Sequence, residues 1–215
     1  AEAVLAKLER VEWVRVEVRK PSAPVPYAVS GTAVAVEQAR VHEVAFSLGS
    51  NLGEREAVLA TAVDRLSLVD GLEIADVSSL YDSAPWGGVE QPAFVNICAT
   101  GRTTLEPHAL LRVCKAIEAD LGRVPGVRWG ARAVDIDILY YGVRDVRDRV
   151  LTLPHACLFG RAFVLEPLAE IDPDHVIGGR RVRDALAVLP RSPGDVTRRA
   201  PDGTGRWGIK EPEPA

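Results

Sequence analysis

Hydrophobic and polar positions divide this chain of 215 residues into three zones. In residues 42–188, strand-like and helix-like periods follow one another. EVAFSLG (43–49) is an apolar run closed by glycine, which predicts a buried strand. GEREAVLATAVDRLSLV (53–69) carries Val58, Leu59, Ala62, Val63 and Leu66 at helical spacing. EIADVSSLYDS (73–83) predicts a strand, and APWGGVEQP (84–92), with two glycines and two prolines, a loop. FVNICATGRT (94–103) alternates as a strand. EPHALLRVCKAIEADLG (106–122) predicts a second amphipathic helix, with Pro107 in its first turn and Gly122 at its stop. A basic loop (122–132) leads into the strand AVDIDILYYG (133–142), and a short helix is expected around 181–189. The order β-α-β-β-α-β predicts an α+β domain of ferredoxin-like type, an antiparallel sheet with helices packed on it.

The flanking zones differ. Residues 1–41 predict a helical fragment (1–10) and two strands. VEWVRVEVRK (11–20) alternates apolar and charged positions, and TAVAVEQ (32–38) follows a proline-rich connection. So short a β-rich piece cannot bury a core alone, so it is expected to need partners or to pack on the next domain. Residues 189–215 are dense in Pro and Gly without apolar periodicity, which predicts a disordered tail with Trp207 as its lone large apolar group.

Composition narrows the class. Hydrophobic residues make up 47% and charged residues 26%, which is globular and excludes a wholly disordered chain. No apolar run approaches the roughly 18 residues of a membrane span. A net charge of −4 argues against a general nucleic-acid footprint. Cys98, Cys114 and Cys157 are odd in number and far apart, so a reducing, cytoplasmic setting is expected. There is no methionine, even at position 1, so a processed or truncated piece of a longer chain is expected.

The candidate chemistry centres on RWGARAVDIDIL (128–139). On a strand, Asp135 and Asp137 share one face, while Val134, Ile136 and Ile138 point into the core. Their Cα atoms are expected roughly 6.6 Å apart. Two bare carboxylates at that separation repel by about 0.6 kcal/mol in water and about 2.5 kcal/mol at an effective dielectric near 20. The pair therefore fits either a solvated polar edge or a divalent-cation site, since Mg²⁺ takes hard oxygen ligands, including substrate phosphates. Arg123, Arg128 and Arg132 precede it, and guanidinium groups bind phosphate with a planar fork of donors. Together these residues suit a magnesium–polyphosphate complex.

Residues 43–172 closely resemble the 6-hydroxymethyl-7,8-dihydropterin pyrophosphokinases of folate biosynthesis. The resemblance runs through FSLGSNLG (46–53), VSSLYDSAPWG (77–87), QPAFVN (91–96), IEADLGR (117–123), RWGARAVDIDILYYG (128–142), LPH (153–155) and GRAFVLEPLAEI (160–171). It implies transfer of an intact diphosphate from ATP to the pterin hydroxymethyl oxygen, releasing AMP. It implies two Mg²⁺ ions on Asp135 and Asp137, with Arg123 and Arg132 stabilising charge in transfer. ATP-side roles would also fall on Glu118, Ile138, Thr152, His155 and Arg161. Pterin-side roles would fall on Ser83, Pro85, Trp86, Phe94, Asn96, Trp129 and Phe163, where flat rings can stack and an amide offers both donor and acceptor. No dedicated base stands out. The segments 82–92 and 123–133 are the expected closing loops. Lys115 departs from the glutamine common in the family, and Ala131 from its proline. The competing expectation is a ferredoxin-like binding module without catalysis.

Residues 1–41 resemble the C-terminal end of dihydroneopterin aldolase, with Lys20 matching that family's active-site lysine. The match implies a bifunctional folate-synthesis fusion, and a remnant that acts only as an assembly piece is a second alternative. The aldolase's earlier strands have no counterpart here, so no aldolase activity is expected. The expected partners are ATP and a dihydropterin, with neither nucleic acid nor membrane, and a possible oligomer through the N-terminal segment.

Overall fold

The structure is a computed structural model describing residues 1–8, 11–20, 32–85, 92–123, 132–190 and 194–200. The chain forms two compact units, Ala1–Val41 and His42–Ala215. In the first, helix α1 (Glu2–Lys7) precedes strands β1 (Trp13–Lys20) and β2 (Thr32–Ala39), which pair antiparallel in unbroken register from Trp13↔Ala39 to Lys20↔Thr32. Leu5 is buried, and Arg40 ties the helix end by donating to the Leu5 and Leu8 carbonyls at 2.6 and 2.9 Å. Trp13, Val18 and Val34 are about two-thirds exposed.

The second unit runs β3 (His42–Ser50), α2 (Arg55–Ser67), β4 (Leu72–Val77), β5 (Tyr81–Ser83), β6 (Phe94–Thr103), α3 (Pro107–Asp120) and β7 (Asp135–Tyr141). It continues through the hairpin β8 (Val146–Arg147) and β9 (Thr152–Leu153), then α4 (Ala162–Ile171). A second hairpin, β10 (Val176–Ile177) with β11 (Arg180–Arg181), then α5 (Val182–Ala187) and β12 (Val196–Arg198) close it. The main sheet is antiparallel, in the order β12-β5-β6-β3-β7, with β4 pairing the other half of β6. Omitting β12 and β5 leaves β4-β6-β3-β7, the ferredoxin-like order.

Alternation along the strands separates two layers. Val44, Phe46 and Leu48 of β3, Val95 and Ile97 of β6, and Ile136 and Ile138 of β7 pack against Leu59, Leu66, Leu110 and Cys114 of α2 and α3. The opposite face carries Ala45, Cys98, Leu139 and Tyr140 under Val164, Leu165 and Leu168 of α4 and Val182 of α5. A register shift between Ala45 and Phe46 puts both Leu139 and Tyr140 on this side and turns Tyr141 to the other. Helices thus cover both faces: α2 and α3, which the sequence pattern predicted, cover one, and α4 and α5 the other.

Two expectations need correction. The run 73–83 is not one strand. Ser78 and Ser79 break it because their polar groups find partners of their own. Ser78 Oγ accepts from the Cys98 amide at 3.0 Å, and Ser79 gives its amide and hydroxyl to Glu170 at 2.9 and 2.7 Å. The tail is not disordered throughout. Val196–Arg198 pair with Ser83–Tyr81, because β5 presents an open edge and the tail's own arginines find carboxylates beside it. Residues 201–215, with Trp207, lie outside the described residues, as do the proline-rich connection, Arg128 and Ala131.

Candidate active site

The site occupies the part of the sheet's second face that α4 leaves uncovered. One row crosses it from edge to interior: Asp135 of β7 is paired with Gly49 of β3, and Gly49 with Asn96 of β6. Two strand spacings put the Asp135 and Asn96 Cα atoms roughly 9.6 Å apart. Asp137 stands in the next row, paired with Ser47.

The Asp135 end is a cluster of charge. Arg123 Nη1 donates to Asp135 Oδ1 at 2.5 Å, and Arg132 meets the other oxygen. Arg123 also pairs with Glu118, which is buried on the last turns of α3. Glu118 further accepts from Lys115 Nζ at 2.8 Å and from the Ile136 amide at 2.7 Å, so it fastens the start of β7. Burial pushes the Glu118 carboxyl up, against the Lys115 hydrogen bond. Burial raises Asp135 too, but the guanidinium groups of Arg132 and Arg123 outweigh it and hold the carboxyl below its ordinary value.

Asp137 is about one-third exposed, and His155 Nε2 stands 3.8 Å from its Oδ2. The Cys157 amide donates to His155 Nδ1 at 3.3 Å, so in the neutral ring the proton sits on Nε2. Burial pushes the imidazole pKa down despite the Asp137 charge, with Arg161 adding to the lowering. His155 therefore presents a donor at neutral pH. Asp135 and Asp137 offer hard oxygen donors on one strand face. Among the described residues no group of three His, Cys, Asp or Glu side chains converges. Mg²⁺ typically takes one or two carboxylates together with phosphate and water.

The Asn96 end is neutral. Asn96 is 3% exposed and donates through Nδ2 to Ser83 Oγ at 2.9 Å. Its Oδ1 faces Gly49, where a Cβ would stand 3.1 Å away and 3.8 Å from the Phe94 ring. Glycine thereby keeps the floor between the two ends clear.

The remaining expected residues divide. Phe94 and Phe163 are half-buried, and the Arg161 guanidinium lies 5.5 Å from the Phe163 ring centre. Pro85 is half-buried beyond β5, and Thr152 is exposed on β9. The Ile138 side chain is 3% exposed in the α2/α3 layer, so the side chain itself is taken up by the core. Trp86 and Trp129 lie outside the described residues. Sequence reasoning missed Asn51, 2% exposed. Asn51 accepts from the Arg132 amide at 2.8 Å and donates to the Pro92 carbonyl at 3.3 Å. It joins the exits of the two expected closing loops, and its signal was the SNLG motif itself.

A model of the 7,8-dihydro-6-hydroxymethylpterin-pyrophosphokinase family matches residues 45–173, more than half of the chain. The chain belongs to this family. A 2-amino-4-hydroxy-6-hydroxymethyldihydropteridine pyrophosphokinase of Methylorubrum extorquens is 50% identical over 145 residues, covering 67% of this chain and 92% of that protein. A mitochondrial folate synthesis bifunctional protein of Arabidopsis thaliana is 41% identical over 67% of this chain, which spans 26% of that longer protein. The fold is also found in the crystal structure of a Plasmodium falciparum HPPK–DHPS chain with pteroate. The TM-score is 0.57 at 14% identity, over 69% of this chain and 42% of that one. The pyrophosphokinase is thus a transferase that moves diphosphate from ATP to hydroxymethyldihydropterin. Magnesium serves ATP generally in such enzymes. No helix among the described residues is long and apolar enough to cross a membrane.

Proposed function

We propose that the row Asp135–Gly49–Asn96 is where the diphosphate crosses from ATP to the pterin. The observation that carries this reading is the clustering of Asp135, Asp137, Arg123, Arg132 and His155 at one end of an open sheet face. A buried amide–hydroxyl pair stands about two strands away. Asp135 and Asp137 would hold two Mg²⁺ ions, which would supply positive charge against the triphosphate. The pterin edge binds Asn96 and Ser83, with Phe94 and Phe163 beside its faces and Pro85, Trp86 and Trp129 contributed by the two loops. Glu118, Thr152 and Arg161, with the Ile138 main chain, serve the nucleotide side.

The pterin hydroxymethyl oxygen attacks the β-phosphorus in line. A new O–P bond forms, the bond from the β-phosphorus to the α,β-bridging oxygen breaks, and AMP leaves with that oxygen. Arg123 and Arg132 turn from Asp135 to the phosphates and stabilise charge spread over the transferring group. His155, protonated at Nε2, donates to a phosphate oxygen and does not act as base. The hydroxyl proton passes to solvent or phosphate, because catalysis comes from positioning and electrostatics.

The test is AMP formation from ATP with and without 6-hydroxymethyl-dihydropterin. The wild-type chain should form AMP only with the pterin. Asp137→Ala should lower turnover roughly a thousandfold with its circular dichroism unchanged, the scale expected when a group facing transition-state charge is lost. Near-normal turnover of that variant at saturating magnesium would refute the reading.

A further inference from the structure

The segment that follows α5 carries a device outside the family-matched residues 45–173. β12 runs along the outer side of β5, with Val196↔Ser83, Thr197↔Asp82 and Arg198↔Tyr81 paired. One residue further, the Arg199 amide donates to the Leu80 carbonyl at 2.8 Å. Its guanidinium grips Asp82 with both prongs, Nε to Oδ2 and Nη2 to Oδ1, each at 2.7 Å. The remaining nitrogen, Nη1, pairs with Glu56 in the first turn of α2. Arg198 donates to Glu170 at 2.6 Å, and Glu170 also accepts from the Tyr81 hydroxyl at 3.0 Å. A strand of three residues is thus held by charge from α2, from α4 and from its own neighbouring strand.

That strand carries Ser83, the partner of Asn96, and the loop 84–92 begins directly after it. At the loop's other end, Arg55 donates to the Ala93 carbonyl at 2.8 Å. Two consecutive residues of α2 therefore fasten both ends of this loop, Arg55 directly and Glu56 through Arg199. Exposed ion pairs are individually weak, but a two-pronged guanidinium–carboxylate contact fixes direction as well as distance. β5 has three ladder pairs with β6 and three with β12, so a strand this short frays readily unless its side chains are also fastened.

We infer that Arg199 is a positioning residue for pterin binding: by clamping Asp82 to Glu56 it holds β5, and hence the Ser83–Asn96 pair and the entry of the loop, in register. This rests on the reading of Ser83 and Asn96 as pterin contacts. Arg199 itself touches neither of them and has no part in phosphate binding.

The experiment compares full-length wild type, Arg199→Ala, Arg199→Lys and Asn96→Ala by steady-state kinetics and by amide hydrogen exchange. Arg199→Ala should raise the pterin KM about fivefold, the upper range for a partly exposed pair, with kcat and the ATP KM unchanged. Exchange should accelerate at residues 81–83 and stay slow in β3 and β7. Lysine, which keeps the charge but loses the fork, should restore part of the pterin KM. An unchanged pterin KM in Arg199→Ala, with Asn96→Ala impaired, overturns the clamp alone. Equal loss in pterin KM, ATP KM and kcat also overturns it, because that is general destabilisation. An unchanged pterin KM in Asn96→Ala removes the underlying reading and the inference with it.

Discussion

The Asp135 end and the Asn96 end of the site share one row of one sheet, yet opposite means hold them. At the charged end, Lys115, Arg123 and Arg132 are already paired with Glu118 and Asp135. On the proposed reading, polyphosphate and metal would exchange those partners, so binding there would be a rearrangement of ion pairs. At the neutral end, Asn96 and Ser83 satisfy each other inside a nearly closed wall and need only turn their remaining donors and acceptors to a flat heterocycle. The lesson is that the charged end is compensated in advance, while the neutral end, where the proposed reading puts the pterin, is shaped in advance.

The largest effect that separates the two ends comes from the acids. Asp137→Ala and Asp135→Ala should each lower turnover roughly a thousandfold. Their stabilities should differ. Asp135 answers two guanidinium groups and its side chain is 26% exposed, so its loss leaves Arg123 and Arg132 facing each other. That should lower unfolding free energy by about 1–2 kcal/mol, below the full value of a buried pair because water reaches the site. Asp137→Ala should leave stability nearly unchanged. Urea unfolding of both variants without metal checks the contrast, and equal stabilities would mean that the ion pairs on Asp135 contribute nothing net.

At the neutral end, Asn96→Ala should weaken pterin binding about thirtyfold, since one amide lost from a buried, hydrogen-bonded wall costs about 2 kcal/mol. ATP binding should stay as it is, and calorimetric titration of each substrate reads both. A smaller loss is expected from Gly49→Ala. The new methyl group would stand 3.1 Å from Asn96 Oδ1, so the amide must shift by a few tenths of an ångström. Mild overpacking of this kind should raise the pterin KM about fivefold and spare the ATP KM. Loss of both affinities in Gly49→Ala would show that the row behaves as one site without separable ends.

How far the sequence could be read follows the same division. Strict alternation in Val134–Ile138 determined which side chains enter the core and which pair faces out, because a strand has one period and one apolar side. The α2 and α3 faces were legible for the same reason. Ser78 and Ser79 were not, because their hydroxyls and amides bond to Cys98 and Glu170, partners 20 and 91 residues away. Asn51 lay inside a quoted motif, but its role depends on two loops meeting there in space. Arg199 carried no local signal. A pair of arginines between prolines and glycines resembles a solvated tail until Asp82 and Glu56 are brought beside it.

The smallest effect concerns pH, where the Asp82–Arg199 clamp behaves unlike the groups around Asp135. The Arg199 hydrogen bond, opposed by partial burial, holds the Asp82 carboxyl below its ordinary 3.8. A carboxyl depressed in the folded state binds fewer protons than in the unfolded chain, so it adds stability at every pH above 3.8. That contribution fades only as pH falls through the folded value. Asp82 is 40% exposed, so the gain is a fraction of a kcal/mol, ~0.5 at most after solvent screening. Exchange protection of residues 81–83 should therefore be flat with pH between neutrality and about 5, once the intrinsic rate is divided out, and should drop below about 4. In Asp82→Asn that drop should vanish, and the protection should already be reduced at neutral pH. A wild-type protection that instead declines between neutrality and pH 5 would assign the titrating group to a histidine and detach β5 from the Arg199 clamp.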